Sequence, residues 1–318
     1  IVVEHDLATL DYISDEIQIV YGEPGAYGIF SQSKGVNRAV NEYLDGNLRE
    51  ENIRYREYSI VFNPLMYRKE VSKEVLIEIP DLEKHFSDFK LKINGFNLNK
   101  GQVIAIMGAN GLGKSTFLNI LSGKIRADNS DFKIEKTSYK GQDLESCDSI
   151  VYEYLTRNGK EIVNSSWYKS NLIEKLRLER LFQENMMLLS GGELQKVNIA
   201  ETLAKESNIV LMDEPSAFID VEDRLKVAEI IKEFVIKKEN CAIIVDHDIQ
   251  FVDYLADSIL VFEGEAGKNG MVFGPYNKKE GMNRVLKNLN VTYRKDTATN
   301  RARINKEGSQ LDQVQKSK

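Results

Sequence analysis

VIAIM at 103–107, GANGLGKST at 108–116 and FLNILSG at 117–123 follow one another without a break. The middle nine residues fit the template G-x-x-x-x-G-K-[ST], which has physical meaning only between a strand and a helix. VIAIM is a compact apolar run of the kind that forms a buried strand, and FLNILSG continues as an apolar helix. Gly108, Gly111 and Gly113 let backbone N–H groups turn inward around phosphate oxygens, and Asn110 and Thr116 belong to the same cradle. The helix start adds its dipole. Lys114 is expected to neutralise β- and γ-phosphates, and Ser115 to ligate Mg²⁺. A glycine-rich turn with a solvated lysine is the plainer alternative, and the flanking strand and helix argue against it.

Further apolar runs follow: IVLM (209–212), AIIV (242–245) and SILVF (258–262). Such runs suit parallel strands buried on both faces, while 150–205 reads as mostly helical. IVLMDEP at 209–215 puts two acids at the end of a strand, the end that faces the ligand crevice in parallel α/β sheets. Asp213 is expected to hold Mg²⁺ through water, and Glu214 to polarise the attacking water as general base. Alone, the pair would read as a strand-end turn; the phosphate loop about 100 residues earlier changes that. His247 closes the strand AIIVDHD, within reach of a γ-phosphate from a neighbouring strand. Gln142, in SYKGQDL, is a candidate sensor of Mg²⁺ and the nucleophilic water. In LSGGELQKV (189–197), Ser190, Gly191 and Gly192 start a helix and so form a second anion-binding terminus. A glycine cap between two helices is compatible with that role.

Composition narrows the class. The chain has 318 residues, 42% hydrophobic and 29% charged, with a net charge of −6. These values exclude a disordered chain, a collagen-like fibre and a coiled-coil rod. No stretch approaches the ~18 uninterrupted apolar residues of a membrane span, so no membrane partner is expected. Two cysteines, Cys147 and Cys241, cannot make a disulfide framework or a four-cysteine cluster, which points to a cytoplasmic protein. The mild negative charge gives no global field for nucleic acid, so any RNA contact needs a local patch.

The chain also repeats itself. IVVEHDLATLDYISDEIQIVYGEPG (1–25) matches IIVDHDIQFVDYLADSILVFEGEAG (243–267) at about 11 of 25 positions, among them His5/His247, Asp6/Asp248, Tyr12/Tyr254 and Asp15/Asp257. Two unrelated strand–helix–strand units would not share so many polar positions, so a duplication is the better reading. Residues 1–33 then read as the last piece of an earlier copy, 34–68 as a hinge with a helix and an extended arm, and 69–283 as the complete second copy. Residues 284–306 read as a second hinge, basic through Arg284, Lys287, Arg294, Lys295, Arg301, Arg303 and Lys306. Residues 307–318, polar and without pattern, are expected to be a disordered tail.

Six elements in order (phosphate loop, Gln142, LSGGELQKV, Asp213-Glu214, SAFID at 216–220 ending in Asp220, and His247) resemble the ATP-binding cassette superfamily over residues ~75–265. That resemblance implies an α/β P-loop NTPase cassette: a mainly parallel sheet core, an antiparallel β subdomain and a helical subdomain. It implies ATP and Mg²⁺ as ligands, and Ser190, Gly191 and Gly192 facing the γ-phosphate of ATP held by another cassette. Asp220 joins the nucleotide-contacting set on the same ground.

EHDLATLDYISD with VYGEPGAYGIFSQSKGVNRAVNEYLDG, and GMNRVLKNLNVTYRKDTATNRARINKEGS at the other end, look like the ABC-E family of ribosome-recycling ATPases. This narrower resemblance implies an ATPase that splits ribosomal subunits. Its expected partners are the small ribosomal subunit and rRNA through the hinges, release or rescue factors, and the first cassette and iron–sulfur domain of a longer parent chain. Two departures stand out. Gly141 occupies a place where the family usually has Pro, and Ile77-Glu78-Ile79-Pro80 lacks the family's aromatic for adenine stacking. Phe86 and Phe89 are substitutes for it, with the core as their plainer place. A transporter's nucleotide-binding subunit and a non-hydrolysing nucleotide-regulated module share the ATP motifs and stay open as alternatives. The charged hinges count against the first, and Glu214 against the second.

Overall fold

In the computed structural model of the chain, residues 1–23, 26–62, 71–157, 159–287, 290–296, 301–305 and 307–316 are described. The chain divides into two units, Tyr67–Leu289 and Ile1–Met66 with Asn290–Lys318.

The larger unit is built on an eight-stranded sheet. Its order is Thr137–Lys140, Ile209–Asp213, Cys241–Val245, Val103–Met107, Ser258–Glu265, Asn269–Asn277, Lys90–Ile93 and Leu82–His85. The first five strands are parallel neighbours. All three apolar runs beyond the phosphate loop's own strand therefore lie where their composition put them. Alternate residues explain why the runs are continuous. Val210, Met212, Ala242 and Ile244 enter one core cluster with the 150–205 helices. Ile209, Leu211, Ile243 and Val245 enter another on the opposite face, with Ile104, Ile106, Phe117 and Leu118. A strand covered on both faces has no position left for a polar side chain. Beyond Ser258–Glu265 the sheet turns antiparallel at Asn269–Asn277, and a separate antiparallel pair joins Val75–Ile79 to Phe96–Asn99. The 150–205 region holds short helical turns ending in the long helix Gly191–Ala204. The architecture is the mixed α/β cassette expected from the motifs.

The larger unit runs further than the expected boundary at 283. The helix Lys278–Leu286 packs on Ser258–Glu265 so closely that a Cβ on Gly281 would lie 2.7 Å from Ile259 Cβ. Arg284 Nη2 donates to Glu263 Oε2 at 3.0 Å. Arg284 is thus part of this unit, not of a hinge.

The smaller unit gathers what the sequence suggested as separate segments. Asp6 caps the helix Leu7–Ile13, accepting the Ala8 N–H at 2.8 Å. The helix Val36–Asp45 carries Glu42, which pairs with Lys34 at 2.7 Å, both almost fully buried. Tyr293–Lys295 and Ala302–Ile304 form an antiparallel pair. Arg301 is 2% exposed, and its Nη2 donates to Asp11 Oδ2 at 2.7 Å; Arg303 Nε lies 3.1 Å from the same oxygen. Two of the seven basic residues expected to form an RNA-facing patch are therefore committed to carboxylates inside this unit, and Lys306 lies outside the described residues. The expected disordered tail is also corrected. Gln310–Lys316 is a helix, and its fully buried Asp312 accepts hydrogen bonds from the Thr292 hydroxyl at 2.9 Å and the Gly308 N–H at 3.1 Å.

Candidate functional site

The site forms at the carboxyl ends of three adjacent parallel strands. The loop after Val103–Met107 runs into the helix Lys114–Leu121, whose N-cap Gly113 has φ 90° and offers no side-chain cap. The first-turn N–H groups are left for an anion. Glycine is required at both ends of this loop. A Cβ on Gly108 would sit 2.5 Å from the Phe262 carbonyl oxygen, and one on Gly113 2.9 Å from the Phe89 ring. Lys114 is 7% exposed and turns back over the loop, its Nζ donating to the Gly108 and Ala109 carbonyls at 2.8 Å each. Burial lowers its pKa, against the pull of Asp213 and Glu214.

Opposite the loop, Ser115 Oγ donates to Asp213 Oδ2 at 2.7 Å. Burial holds the Asp213 carboxyl above the usual range. Beneath it, Lys140 Nζ donates to the Asp213 carbonyl at 3.0 Å, and burial pushes this lysine down to about 8. Glu214 adopts φ 49°, a left-handed conformation unusual for a residue with a side chain. It is held there by its own N–H on the Val245 carbonyl at 2.8 Å and by Gln195 Nε2 on its carbonyl at 2.7 Å. His247 Nε2 lies 3.3 Å from Glu214 Oε1. Burial and the nearby Lys114 charge lower the His247 pKa.

These groups share a cavity of about 390 Å³, large enough for a nucleotide's phosphates and part of its base or sugar. Asn110, Gly111, Gly113, Lys114, Ser115 and Thr116 line one wall; Gln142, Asp213, Glu214 and His247 line another. Phe89 is a further lining residue, and Phe86 is 45% exposed. Phe89 also packs against the core cluster of Ile104, Phe117 and Leu118, so its plainer place holds as well, whereas the exposed Phe86 is not a core residue. Phe89 comes from the turn before Lys90–Ile93, and its only sequence signal was its aromatic character. Lys140 and Gln195 stand inside the quoted stretches SYKGQDL and LSGGELQKV, where a lysine or a glutamine carries no local signal of its own role.

Ser190, Gly191, Gly192 and Asp220 do not line this cavity. Ser190 caps the helix Gly191–Ala204 in a reciprocal box with Glu193, and Asp220 caps Val221–Lys238 by accepting the Asp223 N–H at 2.8 Å. Gly191 and Gly192 pack on Phe218, with 2.8 Å from a Cβ on Gly192 to the Phe218 carbonyl oxygen. Met187, Leu188 and Phe218 beside them are 67%, 78% and 67% exposed.

A donor set for Mg²⁺ is present in Ser115 Oγ and Asp213 Oδ2, hard oxygens already 2.7 Å apart. Among the described residues no group of three or more His, Cys, Asp and Glu could form a metal cage.

Residues 91–217 match the family model described as ABC transporter. An Arabidopsis thaliana ABC transporter E family member 3 is 32% identical over 163 residues, covering 49% of this chain and 90% of that protein. The chain belongs to the ABC-E family. The chain is also similar to an uncharacterized ABC transporter ATP-binding protein of Methanocaldococcus jannaschii. It is 45% identical over 322 residues, covering all of this chain and 53% of that protein. Among solved structures, the archaeal ribosome recycling factor seen in complex with the ribosomal stalk protein aligns with a TM-score of 0.89. It is 44% identical over 99% of this chain and 61% of its own. This ABC-E chain thus spans about half the length of the curated relatives that it matches end to end. Among its described residues no helix is long and apolar enough to cross a membrane.

Proposed function

We propose that this chain supplies the ATP-binding and ATP-hydrolysing cassette of a cytoplasmic ribosome-recycling factor, one that splits ribosomal subunits. The observation that carries the reading is the meeting of Lys114, Ser115, Asp213, Glu214 and His247 around one cavity. Likeness over 99% of the chain to a ribosome recycling factor supplies the biological setting.

In this reading Gly108, Asn110, Gly111, Gly113 and Thr116 cradle the phosphates with backbone N–H groups and the helix terminus. Lys114 leaves the carbonyls of Gly108 and Ala109 for the β- and γ-phosphates, trading two neutral acceptors for charged ones. Mg²⁺ would be held by Ser115, by Asp213 through water and by Gln142, and its charge offsets that of the phosphate oxygens. Glu214 orients a water and takes its proton, and His247 donates a hydrogen bond to the γ-phosphate. Phe89 is placed to contact the base or ribose. Ser190, Gly191, Gly192 and Asp220 serve ATP on another cassette, in keeping with their place outside the cavity. The partners of this reading are a first cassette and iron–sulfur domain, release or rescue factors and the small ribosomal subunit. Any rRNA contact falls to exposed bases such as Arg49, Arg54 and Lys287 rather than Arg301.

Phosphate release with Mg·ATP tests the catalytic half, and ATP-dependent co-sedimentation with small subunits tests the biological half. No hydrolysis under any condition would leave a binding module; hydrolysis with no subunit association would point to a different partner.

A further inference from the structure

One buried acid beside the site has three hydrogen bonds and no part in the reading above. Asp246 is 1% exposed and stands between Val245 and His247. Its Oδ2 accepts the Ser216 N–H at 3.0 Å, and its Oδ1 accepts the Ser216 hydroxyl at 2.7 Å and the Asp248 N–H at 2.9 Å. Ser216 lies two residues past Glu214, so this side chain joins the two strand ends that carry Glu214 and His247. The connection closes on itself. Arg224 Nη1 donates to Asp248 Oδ2 at 2.5 Å, and Arg224 Nε donates to the carbonyls of Ser216 and Ile219 at 3.1 and 2.9 Å. The path from Ser216 through Asp246, Asp248 and Arg224 back to Ser216 is a closed ring of hydrogen bonds.

Two observations argue that this ring has a purpose beyond filling space. Burying a carboxyl is costly, and burial together with Asp248 pushes Asp246 up to about 7. An apolar residue would avoid that cost. Further, Glu4 stands at the matching position of the repeat, and its Oε1 accepts the N–H groups of His5 at 2.8 Å and Asp6 at 3.0 Å. Both copies thus use an acid before the histidine to hold the turn that follows. The segment being held is strained: Glu214 has φ 49° and Phe218 φ 65°. Left-handed conformations at such residues persist only where the surroundings over-determine them.

We propose that Asp246 is a positioning residue that locks the His247 turn to the Ser216–Ile219 segment. The lock keeps His247 in register with Glu214 while Phe218 and its neighbours meet another cassette. The proposal rests on the ATPase reading of Glu214 and His247, and Asp246 itself touches no substrate.

The test uses the full chain with Asp246→Asn, which keeps the shape but turns an N–H group toward donors, and Ser216→Ala, which removes one hydroxyl. In Asp246→Asn, kcat for phosphate release should fall about 10- to 100-fold, as displaced reacting groups do. KM for Mg·ATP should stay within about threefold. The ring resonances of His247 should shift while those of His5 and His85 stay in place. Ser216→Ala should move the same readouts in the same direction, with a smaller loss of about 3- to 10-fold in kcat. Unmoved His247 resonances with kcat within about twofold in either folded variant would overturn the proposal. If Asp246→Asn does not fold, Ser216→Ala decides by the same criteria. A parent chain without any turnover would refute the ATPase reading, and the His247 resonances, which need no nucleotide, would still decide this one.

Discussion

Arg301 and Asp11 lie 290 residues apart in sequence, yet the guanidinium Nη2 meets the carboxylate Oδ2 at 2.7 Å with both side chains nearly free of solvent. The pair ties the Ala302–Ile304 strand to the helix Leu7–Ile13. Removing one partner of such a pair strands a buried charge, at a cost of about 3–5 kcal/mol. Arg301→Ala should therefore speed hydrogen exchange at the amides of Leu7–Ile13, with little dependence on salt because the pair is screened from solvent. If Arg301 were instead a phosphate contact, the substitution would weaken RNA binding with a changed salt slope and leave those amides protected.

That pair also shows where sequence stops speaking. The strand–loop–helix of 103–123 and the carboxylates after IVLM are legible because their chemistry sits within a few residues. The apolar runs are legible because burial on both faces removes every polar position. Arg301, Arg303 and Arg284 read as a basic stretch, since nothing local reveals Asp11 or Glu263 as partners. Gln310–Lys316 reads as a tail because its order comes from Asp312 reaching Thr292 and Gly308, contacts with no periodic trace. Phe89 and Lys140 reach the site by tertiary placement alone.

Lys114→Ala should weaken Mg·ATP binding by about tenfold or more. The ammonium is already inside the loop, and backbone N–H groups cannot replace its full charge next to the phosphates. Titration calorimetry reads this directly, and an unchanged affinity would remove Lys114 from the phosphate site.

Glu214→Gln should keep ATP affinity and lower turnover by about 10²–10⁴-fold, the usual cost of losing a general base. The amide preserves shape and can still reach His247, but it cannot take a proton. Near-normal phosphate release would transfer the base role elsewhere, with His247, 3.3 Å away, as the first candidate.

His247 should make the fold sensitive to acid. Its folded pKa lies below the unfolded value because burial and Lys114 disfavour the imidazolium. As pH falls below about 6.5, the unfolded chain takes up a proton that the fold resists. The unfolded state then binds more protons, so this contribution to stability is lost as pH falls and is fully present above about 6.5. Urea denaturation of the parent and His247→Gln at pH 5 and pH 8 should show the smaller acid loss in the variant. An identical loss in both would mean that His247 titrates alike in the two states.

Turnover by this chain should depend on its concentration. Lys114, Ser115, Glu214 and His247 line the cavity, and Ser190, Gly191 and Gly192 are not among the residues around it. Those three start a helix whose neighbours Met187, Leu188 and Phe218 present apolar surface to solvent. Exposed apolar groups beside an anion-binding helix terminus suit a surface that closes over ATP on another cassette. Closing it would exclude water and fix the γ-phosphate, the terms that contribute most to phosphoryl transfer. A single copy should bind ATP with the affinity of its one-sided site and hydrolyse it slowly. Two copies meeting head to tail would each supply the other's missing serine and glycines, so specific activity should rise with chain concentration. Ser190→Arg should abolish that rise without weakening ATP binding, because Ser190 lies outside the chain's own cavity. The decisive measurement is phosphate release over a range of concentrations, with sedimentation of the same samples. High activity that does not change with concentration, in samples that sediment as monomer, would show that one cassette completes its own site.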